Sequence, residues 1–284
     1  MIVKLFMVVS VEAAAFGRRE GYADSLSITY HAMHKLAQLS ALRKGNAVMY
    51  STHVTHHAGT AMCMAARLNT NAPPFLCTMS PPMLPEKAIP WARRHGYGYI
   101  SAEFRGRVQN GWNWTLAEWE RPDLVSVVVM RDPIDRLFTD DGMAIIEFGE
   151  TMERDWKAWD RYARSDYTDN YALRVFGSVS ERRPVTRKDL ESAKAFLRRV
   201  TIIIDQACFS STLRELFGQI GWKKLSGNGF KLRRSSKIKH HAGANMDSNR
   251  ARIRNDTIYE KLVSRNSLDI ELYRWSKIRS WKVC

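Results

Sequence analysis

The seven residues Leu124-Val-Ser-Val-Val-Val-Met130 form a nearly continuous β-branched run that carries no charge. Successive side chains of a strand face opposite ways, so this run demands apolar cover on both faces. A sheet sandwiched between two layers of helices supplies that cover, and such sheets are mostly parallel. The next residues, Arg131-Asp-Pro-Ile-Asp-Arg-Leu137, open a helix. Asp132 can cap it, and Pro133 stands where no helical hydrogen bond is lost.

The same alternation recurs along the chain. Ala47-Val-Met-Tyr50 is a short strand leading into Ser51-Thr-His-Val-Thr-His-His-Ala-Gly-Thr-Ala-Met-Cys63, after which helix formers run to Asn69. Gly96–Phe104 reads as a second strand that ends near Glu103. Thr186–Arg199 reads as a helix capped by Thr186 with Asp189, its inner stripe Leu190, Ala193 and Leu197, followed by the strand Val200-Thr-Ile-Ile-Ile204. Residues 20–44 have helical periodicity around Leu26, Tyr30, Met33, Leu36 and Leu39. The expectation is an α/β fold, a central parallel sheet flanked by helices, in one domain over 46–284 behind an N-terminal segment 1–45. Ligands of such folds bind at the carboxyl ends of the strands, where the loops beginning at His53, Glu103 and Arg131 all fall.

The first of these loops is laid out to hold an anion. A loop entering a helix offers unpaired backbone N–H groups; Gly59 permits close approach, and Thr60 adds a hydroxyl. Neither GxxxxGK[ST] nor GxGxxG is present, which argues against a nucleoside triphosphatase loop and a dinucleotide fold. His56 and His57 also read as ordinary exposed loop histidines. Arg131 brings a guanidinium that can grip a phosphate in two places, and Thr139 a further hydroxyl. Arg136 is expected on the helix surface, paired with Asp132 or Asp140.

Charge narrows the partners. The chain of 284 residues carries 44 Lys and Arg against 29 Asp and Glu, a net charge of +15. That excess favours polyanions: nucleic acid, an anionic glycan, an acidic membrane or a highly charged nucleotide. No helix-turn-helix, zinc-finger or RNP pattern accompanies it, so nucleic acid is not the expected partner. No apolar run is long enough for a transmembrane span. Four scattered cysteines, Cys63, Cys77, Cys208 and Cys284, give neither a metal-ligand spacing nor a disulfide framework, with a Cys63–Cys77 bridge left open. Lys4, the uncharged Leu5–Val11 and Ala13-x-Ala15 outline a short secretory signal, and read equally as a short strand or helix.

Strand–HVTHHAGT–helix resembles the 5′-phosphosulfate loop of sulfotransferases that use 3′-phosphoadenylyl sulfate. In their membrane-derived carbohydrate branch, the heparan sulfate 2-O/6-O type, it is close to H-[IV]-P-K-T-G-G-T. The run VVVMRDPIDRLFTDD is similar to that branch's 3′-phosphate motif, close to L-R-D-P-x-x-R-x-x-S. Asp169-Asn-Tyr171 resembles its D-N-Y element, and Asn266-Ser-Leu-Asp-Ile-Glu-Leu-Tyr273 its closing N-x-L-D-x-x-L-Y.

The resemblance implies a P-loop-like sulfotransferase fold with 3′-phosphoadenylyl sulfate as donor and 3′-phosphoadenosine 5′-phosphate as product. It implies no metal, and a hydroxyl acceptor on a glycan or a small alcohol. Thr55, His56, His57, Ala58, Gly59, Thr60 and Ala61 would surround the 5′-phosphosulfate, and Arg131 and Thr139 the 3′-phosphate. Arg233, Arg234 and Lys237, in the basic run Lys231–His241, sit where the family has a loop over the nucleotide; the run also reads as a solvated basic loop. His56 stands in the place of the family lysine, with His57 the substitute after a small loop shift. Glu103 is the first choice of general base, and His53 the second. Arg105 and Arg107 would suit an anionic acceptor, and Trp112, Trp114 and Trp119 could line its cleft. The implied compartment is the secretory pathway or Golgi lumen, with the cytoplasm as alternative. A nucleotide binder that lost catalysis with the lysine is the main rival, and a basic nucleic-acid-binding protein the lesser one.

Overall fold

A computed structural model describes residues 22–54, 57–71, 83–104, 116–139, 142–150, 153–180, 182–222, 250 and 253–283. Its strands are β1 (Val48–Val54), β2 (Tyr99–Phe104), β3 (Leu124–Met130) and β4 (Ile202–Asp205). Its helices are α1 (Tyr22–Arg43), α2 (Gly59–Arg67), α3 (Pro85–Arg94), α4 (Pro133–Leu137), α5 (Gly142–Phe148), α6 (Trp156–Arg164), α7 (Tyr171–Phe176), α8 (Arg187–Arg199), α9 (Phe209–Ile220), α10 (Asp256–Arg265) and α11 (Ser267–Lys277).

The strands form one sheet in the order β2-β1-β3-β4, and every neighbouring pair is parallel. All residues of β1, β3 and β4 are buried, the double cover that the Leu124–Met130 run demands. On one face Tyr50, Ile100, Val128 and Met130 pack with residues of α3, α7, α8 and α11. On the other, Met49, Val127, Val129 and Ile204 pack with α1, α2 and α9. A further apolar cluster joins Ile134 and Leu137 of α4 to Phe148, Trp159 and Leu262.

Strand order places the site. The chain passes from β1 to β2 on one side, then crosses back to β3 on the other. The order therefore reverses at β1, and the crevice beyond β1 and β3 is where open α/β sheets bind ligands.

Local signals formed largely as the residues dictate. Asp132 Oδ1 accepts from the amides of Ile134 and Asp135, at 2.8 and 3.1 Å, with Pro133 opening α4. Thr186 and Asp189 make a reciprocal capping box on α8. Helix α1 differs from expectation, because Met33 is 65% exposed whereas Gln38 is buried. Gln38 Nε2 donates to the Trp119 and Arg121 carbonyls, and its Oε1 accepts from the Thr201 hydroxyl at 2.6 Å. These bonds satisfy the buried amide and set the roll of the helix.

Trp119 is core rather than cleft. It is fully buried, edge-on to both Tyr50 and Phe196. Trp112 and Trp114, with Arg105 and Arg107, lie outside the described residues. Cys63 and Cys208 are each disulfide-bonded, where the sequence indicates no framework and leaves one bridge at Cys63 open. Scattered spacing gave no sign of it, because bridging depends on proximity in space. No described helix is long and apolar enough to cross a membrane.

Asp169-Asn-Tyr171 and the Asn266–Tyr273 segment meet, and each supplies the other's helix cap. Asp269 accepts from the Leu173 and Ala172 amides of α7, at 2.6 and 3.0 Å. Asn170 Oδ1 accepts from the Asp269 amide, in the first turn of α11, at 2.9 Å. Neither helix is capped by its own N-cap side chain, so the two first turns depend on this exchange.

Candidate functional site

His53 and Glu103 are register partners at the ends of β1 and β2. By strand alternation their side chains leave the sheet on one face, the face that α2 covers. His53 is buried and Glu103 half-buried. Helix α2 begins directly against the imidazole. A Cβ on Gly59 would lie 2.0 Å from His53 Cδ2 and 2.1 Å from Cγ, so glycine alone fits. Ala58, just before it, is left-handed with φ 61°, a costly conformation for a residue bearing a Cβ. The N-cap residue Ala58 makes no side-chain cap on α2, and the first turn holds no acidic residue. Its leading amides and the positive end of its dipole favour an anion, as at any helix start.

His57 is the most informative residue here. Its amide donates to the Val54 carbonyl at 3.0 Å, and its side chain is almost wholly buried. Nδ1 lies 2.9 Å from the Val129 carbonyl oxygen. A carbonyl can only accept, so Nδ1 carries the proton, and Nε2 of the neutral ring presents a lone pair. That Nε2 is buried and has no partner. Burial pushes the His57 pKa well below the ordinary 6.5, aided by Arg136, Arg131 and His53; the Val129 bond opposes the shift.

Arg131 follows β3 and is mostly buried. Burial lowers its pKa to about 10, with Arg136 adding to the effect and Asp135 and Asp132 opposing it, so it remains charged at neutral pH. Arg136 is a correction. It is buried, not on a helix surface: Nη2 donates to the Tyr167 carbonyl at 2.6 Å and the guanidinium lies 3.9 Å from the Tyr171 ring centroid. All but one residue of the five-residue α4 are buried, so no solvent face exists for an ion pair with Asp132. The missed signal was Ile134, Leu137 and Phe138 around Arg136, which leave so short a helix little polar surface. Thr139 is half-buried, and its hydroxyl donates to the Arg136 carbonyl at 2.5 Å.

The arrangement is a largely buried polar end of the sheet. Two guanidiniums, a lone-pair imidazole and a helix start converge where β1 and β3 end, and Asp132 is committed to capping α4. Asp135 and Asp132 act on Arg131 and Asp269 on Arg136, so what the site offers an anion is the reach of these guanidiniums together with the start of α2. Compared with protein-family models, curated proteins and solved structures, the chain matches none. What it binds must therefore be argued from this geometry.

Of the residues expected at the site, His53, His57, Ala58, Gly59 and Ala61 are together at the β1–α2 junction, and Arg131 and Thr139 flank α4. Thr55, His56, Arg233, Arg234, Lys237 and the side chain of Thr60 lie outside the described residues. Among the described residues no group of three or more His, Cys, Asp or Glu could hold a metal ion.

Proposed function

We propose that this chain is a sulfotransferase, moving a sulfuryl group from 3′-phosphoadenylyl sulfate to a hydroxyl, with carbohydrate as the favoured acceptor class. One observation carries the reading. Arg131 and the β1–α2 junction, arriving from separate strands, meet at the sheet's reversal point around the buried, unpartnered Nε2 of His57. A donor with a 5′-phosphosulfate and a separate 3′-phosphate needs two anion grips side by side, and that is the pairing on offer.

The residues fit such a nucleotide. Gly59 admits no side chain, and the backbone from Ala58 to Ala61 would hold the 5′ group with the Thr60 hydroxyl. Arg131 would hold the 3′-phosphate. Thr139 can join it by turning its hydroxyl from the Arg136 carbonyl. When bound, the donor supplies a sulfuryl group poised for in-line transfer, a reaction governed by positioning and charge neutralisation. Glu103, half-buried at the β2 end, would take the proton of the acceptor hydroxyl, with His53 beside it as the alternative base. His56 replaces the family lysine. It serves there as a cation only when protonated, or as a single N–H donor while neutral.

A binder without turnover is the second reading. It is favoured by the state of His57, neutral in the free protein and therefore no substitute for a permanent lysine charge. The disulfide-bonded Cys63 and Cys208 support an oxidising compartment, in keeping with a secretory or Golgi setting.

Calorimetry with 3′-phosphoadenosine 5′-phosphate tests the donor site, and donor-saturated assays on glycans and small alcohols test transfer. Saturable binding with transfer is expected. Binding without transfer across the panel selects the second reading, and no binding at all overturns both.

A further inference from the structure

A cavity of about 390 Å³ lies at the other end of the sheet, beside the first residues of β4. Its apolar wall comes from Leu36 and Leu39 of α1, Ile202 of β4, Ile220 of α9 and Trp281. The Trp281 backbone N–H donates to the Ile203 carbonyl at 2.8 Å, which fastens the chain beyond α11 along the edge strand and closes that side. Small-ligand sites begin at about this volume, and they pair an apolar wall with a few fixed polar groups.

Charge says which ligand fits. Lys35 and Arg43 line the cavity from α1, Arg279 and Lys282 from beyond α11, against the one acid Glu215. The Arg279 guanidinium rests 4.1 Å from the Trp275 ring centroid. Apolar walls and a surplus of cations together match an amphiphile with an anionic head.

We propose that this cavity is a second ligand site, taking a small amphipathic anion whose apolar body lies along Leu36, Leu39, Ile202 and Ile220. Its oxyanion head faces the basic residues. The site shares no residue with the β1–α2 junction and does not depend on the proposed transferase activity.

The test is calorimetry on the full chain with decanoate, decanol and decyltrimethylammonium, each below its aggregation concentration. Decanoate is expected to bind saturably, decanol about tenfold more weakly, and the cation not at all. Leu39→Trp fills the cavity and should abolish binding. Because a core change can unfold the chain, the exposed pair Arg43→Glu with Lys282→Glu is measured alongside. That pair should weaken decanoate at least tenfold and leave decanol unchanged. Equal binding of decanoate and decanol, or full decanoate binding by a folded Leu39→Trp chain, would overturn the proposal. So would co-sedimentation with anionic lipid vesicles that Leu39→Trp leaves intact, because the cations would then serve a membrane surface.

Discussion

His57 donates its Nδ1 proton to the carbonyl of Val129, 2.9 Å away, and so ties the loop after β1 to the end of β3. This bond fixes the tautomer and leaves the lone pair on Nε2, which is buried and has no hydrogen-bond partner. The groups acting on the ring are His53 from β1, Arg131 beyond β3 and Arg136 from α4, with Asp132 and Asp135 acting on Arg131 in turn. A multiply charged anion brought among them would reverse the electrostatic balance on His57 and raise its pKa.

Anion binding should therefore take up a proton at His57. Affinity for 3′-phosphoadenosine 5′-phosphate is expected to rise as pH falls from about 8 to about 6. Calorimetry in buffers of different ionisation enthalpy should show net uptake, and His57→Gln should abolish it while His56→Gln retains part. The stability effect has the opposite sign in the free protein. A folded pKa below the unfolded 6.5 means the unfolded chain binds more protons in acid, so stability is lost as pH falls below about 6.5. His57→Gln should flatten that limb of a urea-unfolding profile.

Gly59→Ala tests the closest approach in the site. The new Cβ would meet the His53 ring at 2.0 Å, so ring or helix must move. Overpacking of this kind costs about 1–3 kcal/mol, read by urea unfolding, and anion binding should fall with it. Adding His53→Ala removes the obstacle. The double variant should recover stability relative to Gly59→Ala, and additivity of the two losses would show that the contact is not the cause.

The sheet was legible because its signals are local. Leu124–Met130 needs two covered faces, and Asp132-Pro133 and Thr186 with Asp189 start helices by chemistry confined to a few residues. The order β2-β1-β3-β4 and the reversal at β1 were not legible, since register depends on contacts far apart in sequence. Arg136 was misjudged for the same reason: its partners, Tyr167 and Tyr171, lie about thirty residues on. Asp169-Asn-Tyr171 and Asn266–Tyr273 were noticed as pattern, yet only their meeting explains them, as an exchange of helix caps.

Asp269 should impose a pH dependence opposite to that of His57. Burial raises its pKa to about 6; the Leu173 and Ala172 amides and Arg136 pull it down, and Asp169 pushes it up. The folded value exceeds the ordinary 3.8, so the stabilising contribution is full below about 3.8 and is lost as pH rises through about 6. Asp269→Asn has no proton to exchange and turns an N–H₂ toward backbone N–H donors. Its deficit against the natural chain should be largest near pH 4 and shrink by about 2–3 kcal/mol toward pH 7 in urea unfolding. A deficit constant with pH would mean that Asp269 stays ionised throughout.

Arg131 separates a site for a bisphosphorylated nucleotide from a general anion trap. Arg136 is already engaged by the Tyr167 carbonyl and the Tyr171 ring, so its charge is shared with the fold. Arg131, at the strand end, is the guanidinium assigned to the 3′-phosphate. A charge-assisted hydrogen bond is worth about 1.5–3 kcal/mol, so Arg131→Ala should weaken 3′-phosphoadenosine 5′-phosphate about 10- to 100-fold. Adenosine 5′-monophosphate lacks the 3′ group, and its affinity should hardly change. Arg131→Lys keeps the charge but not the two-pronged grip, and should recover only part of the loss. Equal weakening of both nucleotides by Arg131→Ala would place this arginine on the 5′ side and reverse the proposed orientation of the donor.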